Sequence, residues 1–364
     1  MRAEATTVNS ATPGRLLGSV SRIARFVVVR YETHHLLYAV LFVAAVEGTA
    51  AIVSHPDTPW RPGWATVVRI VVVAVLLLYL RMVDEIKDLD YDRIHHPDRP
   101  LVCGAITVVE LWVAIGVVAV ALTVVSALLS WWSVVLVVAS MLYGLALWGL
   151  EAVSVAVRGN LLLNLAVTYP VQLWIIGYIV RSAVDTGQVE SGWGTAAVAV
   201  IFAGAFLHFE FARKTVRDSR PGQWYYSNVL GSTGSAVATG AFAVIAVAAD
   251  LLLVRPWDRP MPWALLLWMP AVSSVIPIVA TAAFLRTAGR FDTGPTVAAV
   301  ASAGPDEAAG PGEVAGPGVS GTPNPACGPE ASGNSSPPEF PVVPAVVFVL
   351  LLYAILIAQA LTWR

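Results

Sequence analysis

Apolar residues come in long blocks along this chain, neither alternating as in a half-buried strand nor confined to the one-sided stripe of a surface helix. Crossing about 30 Å of hydrocarbon takes about 20 apolar residues in a helix, with every backbone N–H and C=O paired inside the segment. Nine blocks meet that requirement, at approximately 36–54, 64–83, 105–129, 132–150, 160–180, 194–211, 229–253, 262–285 and 342–362. Each predicts a membrane-spanning helix, so the fold class is all-α, a polytopic membrane protein with nine transmembrane helices. The polar punctuation sets the domains: an N-terminal segment over 1–33, a bundle of eight spans over 34–286, and the ninth span within 342–364. Residues 287–341, rich in Gly, Pro, Ala and Ser, predict a disordered linker, because such a composition builds no core.

Composition strengthens the membrane reading. The chain is 57% hydrophobic and 13% charged, against about 25% charged in an average soluble domain. A net charge of −2, with no basic tract interleaved with aromatics, gives a nucleic-acid role no support. Residues 1–33 carry five arginines but no compact apolar core followed by a cleavage site, so the first span is expected to be its own insertion signal. Placing the N-terminus in the cytoplasm puts sixteen of the 22 Lys and Arg residues on that side and six on the other. Short cytoplasmic loops carry the positive excess, so this is the expected orientation. Abundant Ala, Val, Gly and Arg with only two lysines suggests a G- and C-rich bacterial genome, and hence a plasma membrane.

Charge is scarce, and where it gathers it is informative. Behind the second block, "RMVDEIKDLDYDRIHHPDRPLVCGAI" packs Asp84, Glu85, Asp88, Asp90 and Asp92 into nine positions. Asp84, Asp88 and Asp92 are four apart, so on a helix continuing from the span they share a face. Like charges at that spacing repel, which calls for a cation among them. Behind the sixth block, "HFEFARKTVRDSRPGQWYYSN" repeats the spacing with Glu210, Lys214 and Asp218. The two lysines, Lys87 and Lys214, fall one in each stretch, with Arg93 and Arg99 beside the first and Arg213 beside the second. Both stretches lie on the expected cytoplasmic face. Carboxylates that hold Mg²⁺, together with Lys and Arg, suit a diphosphate, whose several negative charges need neutralising as it leaves.

The Asp84, Asp88, Asp92 repeat followed by His96, Pro97, Arg99, Pro100, Leu101, Gly104 and Ile106 resembles the first signature of the UbiA superfamily of intramembrane prenyltransferases. "LYGLALWG" and "RGNLLLNLAV" are similar to that family's fourth and fifth spans, so the resemblance covers most of 34–285 and the ninth span. It implies a UbiA-like bundle of nine helices with the active site opening to the cytoplasmic side. It implies an isoprenoid diphosphate bound through Mg²⁺, ionised to an allylic cation, and captured by an aromatic or lipid acceptor within the bilayer. On that reading Asp84, Asp88 and Asp92 ligate one Mg²⁺, and Glu210 and Asp218 a second. Lys87, Arg93, Arg99, Arg213 and Lys214 face the diphosphate, while Tyr143, Asn160 and Asn164 sit near the substrate cavity.

The sequence departs from the family pattern at two places: Val83 stands where an Asn or Asp is common, and Lys214 where many members carry Asp. A protonated lysine cannot ligate Mg²⁺, but it can supply charge to the diphosphate. A second outcome of the same ionisation is terpene cyclisation, which needs no acceptor. In the first span only Glu47 offers an acceptor-binding carboxylate. A transporter, the third class, would place its acids near the bilayer midplane rather than at span ends on one face.

Overall fold

The computed structural model describes residues 13–31, 33–218, 224–291 and 339–362. The elements are all helical: α1 Pro13–Arg30, α2 Thr33–Ser54, α3 Trp64–Lys87, α4 Leu89–His95, α5 Val108–Ser126, α6 Trp131–Val153, α7 Val155–Gly159, α8 Leu161–Thr168, α9 Pro170–Asp185, α10 Trp193–Arg213, α11 Ser227–Val254, α12 Trp263–Ser273, α13 Val275–Phe291 and α14 Val342–Thr362. Among the described residues, nine helical stretches are long and apolar enough to cross a membrane, beginning at His35, Trp64, Val108, Trp131, Leu161, Trp193, Ser227, Trp263 and Val342. These are the nine blocks read from the sequence. The chain is an integral, multi-pass membrane protein.

Three spans are broken for local reasons. The fifth is two helices, α8 and α9, with Pro170 opening the second. In α11, Gly231 adopts φ +71°, a left-handed conformation that favours glycine, and the helix kinks there. The eighth span is two helices, α12 and α13, because Pro277 has no N–H to offer the Ser273 carbonyl one turn back. The helix also continues to Phe291, five residues past the expected end of the bundle. Most of the expected linker lies outside the described residues. Two of its described residues are tied down: Glu339 bridges to Val216, and the Phe340 N–H donates to the Thr215 carbonyl at 3.0 Å with the ring buried beside Phe284.

α2 is the hub. It packs against α3, α9, α10 and α14, and Phe42 meets Phe202 of α10 and Tyr353 of α14 at ring separations of 5.6 and 6.0 Å. Peripheral helices turn apolar side chains outward; on α5, Val109, Val113, Val117, Val120 and Val124 form an exposed stripe. In water such a stripe would drive aggregation, but against lipid tails it carries no penalty. The most extensive helix pairing is α10 with α11. A Cβ on Gly204 would lie 2.8 Å from both the Ala246 nitrogen and the Phe242 oxygen, so the backbones themselves would have to part. Gly204→Ala is therefore expected to destabilise the protein by about 1–3 kcal/mol, the usual range for overpacking. Thermal unfolding in detergent measures it.

Candidate active site

The second span delivers the first group of acids. α3 ends at Lys87 and α4 begins at Leu89, yet the helical ladder runs through the joint. The N–H groups of Asp88, Asp92 and His96 donate to the carbonyls of Asp84, Asp88 and Asp92, each at 2.8 Å. The three aspartates thus keep the register the spacing predicts, but they have different surroundings. Asp84 and Asp88 remain about half exposed, at 47% and 42% of their side chains. Lys87 reaches both, with Nζ 3.4 Å from Asp84 Oδ1 and 3.9 Å from Asp88 Oδ1.

Two further residues complete this group. Glu151, at the end of α6, places Oε2 3.4 Å from Lys87 Nζ, and its Oε1 accepts from Asn164 Nδ2 at 3.0 Å. Spans two, four and five are thereby joined at one end of the bundle. Asn164, expected near the substrate cavity, stands behind Lys87 through Glu151. Glu151 was not foreseen, although a lone acid closing an otherwise apolar span was a usable signal.

Although 42% of its side chain reaches solvent, the packing around the rest of Asp88 desolvates its carboxyl, and this, partly offset by Lys87, raises it to about 6, with Asp84, Asp92 and Glu151 adding repulsion. Folding therefore favours protonated Asp88. Its contribution to stability is present below the ordinary carboxylate pKa and is lost as pH rises through about 6. Metal-free protein is expected to melt at lower temperature as pH rises from about 4 to 7, with Asp88→Asn removing that part of the slope, as thermal scans in chelator would show.

Asp92 is different. It is buried and ion-paired to Arg99, while its Oδ1 is buried without a hydrogen-bond partner. The family-like segment after it folds to hold that arginine. Val102 and Cys103 N–H groups donate to the Arg99 carbonyl at 2.9 Å, Ala105 N–H donates to Pro100 O at 2.9 Å, and Leu101 and Ile106 are buried. Gly104 sits at φ +76°, where a side chain would be strained. Arg99 is thus held by Asp92 rather than turned out for a diphosphate. Arg93, also expected at the diphosphate, pairs with the exposed Asp90 at 2.8 Å on the surface, where such pairs contribute little.

The sixth span delivers the second group. Glu210 is buried at the end of α10 and engages three neighbours: Arg213 Nε donates to Oε2 at 2.6 Å, Lys214 Nζ lies 2.8 Å from Oε1, and the Tyr226 hydroxyl donates to Oε1 at 3.4 Å. Lys214 also lies 5.6 Å above the Tyr226 ring, which stacks on Phe211 at 4.2 Å. Burial raises the Tyr226 phenol, and the Glu210 carboxylate adds to the shift. Tyr226 went unnoticed in the sequence. The expected Glu210, Lys214, Asp218 face does not form, because α10 ends at Arg213 and exposed Asp218 lies beyond it. A second metal held by Glu210 and Asp218 has no support in this geometry.

Tyr143 and Asn160 do structural work here. The Tyr143 hydroxyl donates to the Val167 carbonyl at 2.7 Å, joining α6 to α8. Asn160 caps α8, its Oδ1 accepting from the Leu163 N–H at 3.0 Å. Among the described residues, no three His, Cys, Asp or Glu side chains lie close enough to hold an ion between them. What remains is Asp84 with Asp88, open to solvent. Two carboxylates are the kind of donor set that would hold Mg²⁺, which takes one or two protein carboxylates and completes its shell with water and phosphate.

Glu47 lies elsewhere. It is fully buried, 2.7 Å from Arg69 Nη1, and accepts from Thr66 Oγ1 at 2.7 Å and Trp60 Nε1 at 3.0 Å. Arg69 in turn reaches Ser182 and Gln188.

No protein-family model and no curated protein matches the chain. Among solved structures it is similar to the apo structure of a UbiA homolog from Aeropyrum pernix K1, at 19% identity over 69% of this chain and 90% of that one, with a TM-score of 0.48. It is also similar to a digeranylgeranylglyceryl phosphate synthase, at 13% identity over 90% of this chain and 98% of the other, with a TM-score of 0.49.

Proposed function

We propose that the protein is an intramembrane prenyltransferase of the UbiA type, ionising an isoprenoid diphosphate at the end of the bundle and passing the prenyl group to an aromatic or lipid acceptor. The observation that carries this reading is Lys87 set between half-exposed Asp84 and Asp88, with Glu151 and Asn164 behind it, at one end of a bundle of apolar helices. Mg²⁺, when bound by Asp84 and Asp88, would neutralise the charge that builds on the departing diphosphate.

The chain's own residues do the rest. Lys87 and Lys214 offer ammonium donors to phosphate oxygens, and Arg213 a half-exposed guanidinium. Asn164 and Glu151 fix where Lys87 stands. The bond from the prenyl C1 to the bridging oxygen breaks with its electron pair on diphosphate. The acceptor then forms the new bond to C1 and gives up a proton. A polyprenyl tail prefers the hydrocarbon by about 0.8 kcal/mol per buried CH₂, and the apolar surroundings keep water from quenching the cation.

One observation favours cyclisation as the second reading. Glu47, the acceptor-binding candidate of the first span, is locked into its pair with Arg69 and is fully buried. Membranes holding the protein, given Mg²⁺ and prenyl diphosphates of increasing length with and without aromatic and lipid acceptors, separate the two. Product formed only with an acceptor establishes the transferase, and a cyclic product from the donor alone establishes the cyclase. No product from any donor defeats both.

A further inference from the structure

Helix α1 presents three distinct faces. Ser19, Ile23, Val27 and Arg30 are partly covered and Phe26 is buried, which marks the side against the bundle. Val20, Ala24 and Val28, four residues apart, are exposed, with Val20 and Val28 at 64% and 76%. Ser21, Arg22, Arg25 and Val29 occupy a third exposed side. At about 100° per residue these faces lie about 120° apart. α1 has four arginines and no acidic residue, and it runs almost directly into α2, whose membrane span begins at His35. A helix fixed at the end of a membrane bundle, with one bare apolar stripe and another side that carries Arg22 and Arg25, has the build of an interfacial helix.

Its bundle side, with Arg22 reaching round from the third side, grips the aspartate loop at both ends. Arg30 Nε donates to Glu85 Oε2 at 3.0 Å, and Glu85 is buried beside Asp84 in sequence. At the other end, Ser19 Oγ donates to Glu110 Oε1 at 2.7 Å and Arg22 Nε donates to the same oxygen at 3.0 Å. Glu110 is itself the capping-box residue that starts α5, accepting from Thr107 N–H at 3.1 Å. Between these two anchors lies 88–107, which carries Asp88, Asp92 and Arg99.

We infer that α1 is a lipid-reading arm: the Val20–Ala24–Val28 stripe enters the bilayer surface, Arg25 and the outer side of Arg22 engage anionic headgroups, and the helix thereby steadies the aspartate loop from both ends. The arm is independent of the reaction assigned to the site, since it concerns the loop's order and not its chemistry.

Hydrogen–deuterium exchange on the full chain in nanodiscs tests it, comparing phosphatidylcholine alone with phosphatidylcholine plus phosphatidylglycerol. The anionic lipid is expected to slow exchange in α1 by about fivefold for each engaged arginine, and to slow 88–107 with it. Arg25→Gln should lose the lipid-dependent part while Arg25→Lys keeps it. Val20→Asn with Val28→Asn, which removes no bundle contact, should speed α1 exchange in both lipids. Exchange in α1 that ignores lipid composition and the valine changes overturns the arm, as does protection that appears only when a second protein is added. Slowing of α1 without slowing of 88–107 overturns the coupling.

Discussion

Asp88→Ala is expected to lower magnesium-dependent release of diphosphate from a prenyl diphosphate by at least about 10²–10³-fold, while leaving the protein folded in the membrane. Asp88 is half exposed, so its removal opens no core cavity. On the proposed reading it is, however, one of the two half-exposed carboxylates that would hold the cation, since Asp92 is committed to Arg99. Loss of one preorganised charge-stabilising group in an active site ordinarily costs about that factor. Asp90→Ala supplies the contrast. Asp90 lies two residues away, but it points to solvent and meets Arg93, so its loss should leave turnover nearly unchanged. Initial rates for the three proteins in the same membranes decide the matter; equal loss in both variants would mean that local acidity, and not this geometry, governs the site.

The second large effect concerns stability. Glu47→Leu strands the Arg69 guanidinium in a site where both side chains are fully buried. Breaking a buried pair from one side costs about 3–5 kcal/mol, because the remaining charge has lost its partner and cannot return to water. Trp60 Nε1 and Thr66 Oγ1 lose their acceptor as well. The double variant Glu47→Leu with Arg69→Met should recover much of this, since the uncompensated charge is gone. Thermal unfolding of the wild type, both single variants and the double variant closes the cycle. Additive losses would show that the two charges are not coupled.

How far the sequence alone reaches depends on what fixes each feature. The nine spans were legible because bilayer thickness sets their length and the backbone allows no other structure there. α1 was not, since its apolar residues form a stripe rather than a block. The aspartate register was legible because the ladder continues through Asp88. The matching pattern at Glu210, Lys214 and Asp218 misled, because spacing of four implies a shared face only while the helix lasts. Pro221 and Gly222, just downstream, were the signal that it would not. Glu151 and Tyr226 could be placed only by the fold, which brings them from other helices onto Lys87 and Glu210. Arg99 shows the reverse case: the motif was readable, but the work its loop does, pinning a guanidinium on Asp92, emerges only from the turn at Gly104.

On the proposed reading, this end of the bundle ionises an isoprenoid diphosphate. The most direct measurement is diphosphate release from a long-chain prenyl diphosphate by the purified protein in nanodiscs, with Mg²⁺ and with chelator. Release that requires Mg²⁺ and disappears in Asp88→Ala is the predicted result. Release that is absent with every chain length, or that persists unchanged in chelator and in Asp88→Ala, would contradict it.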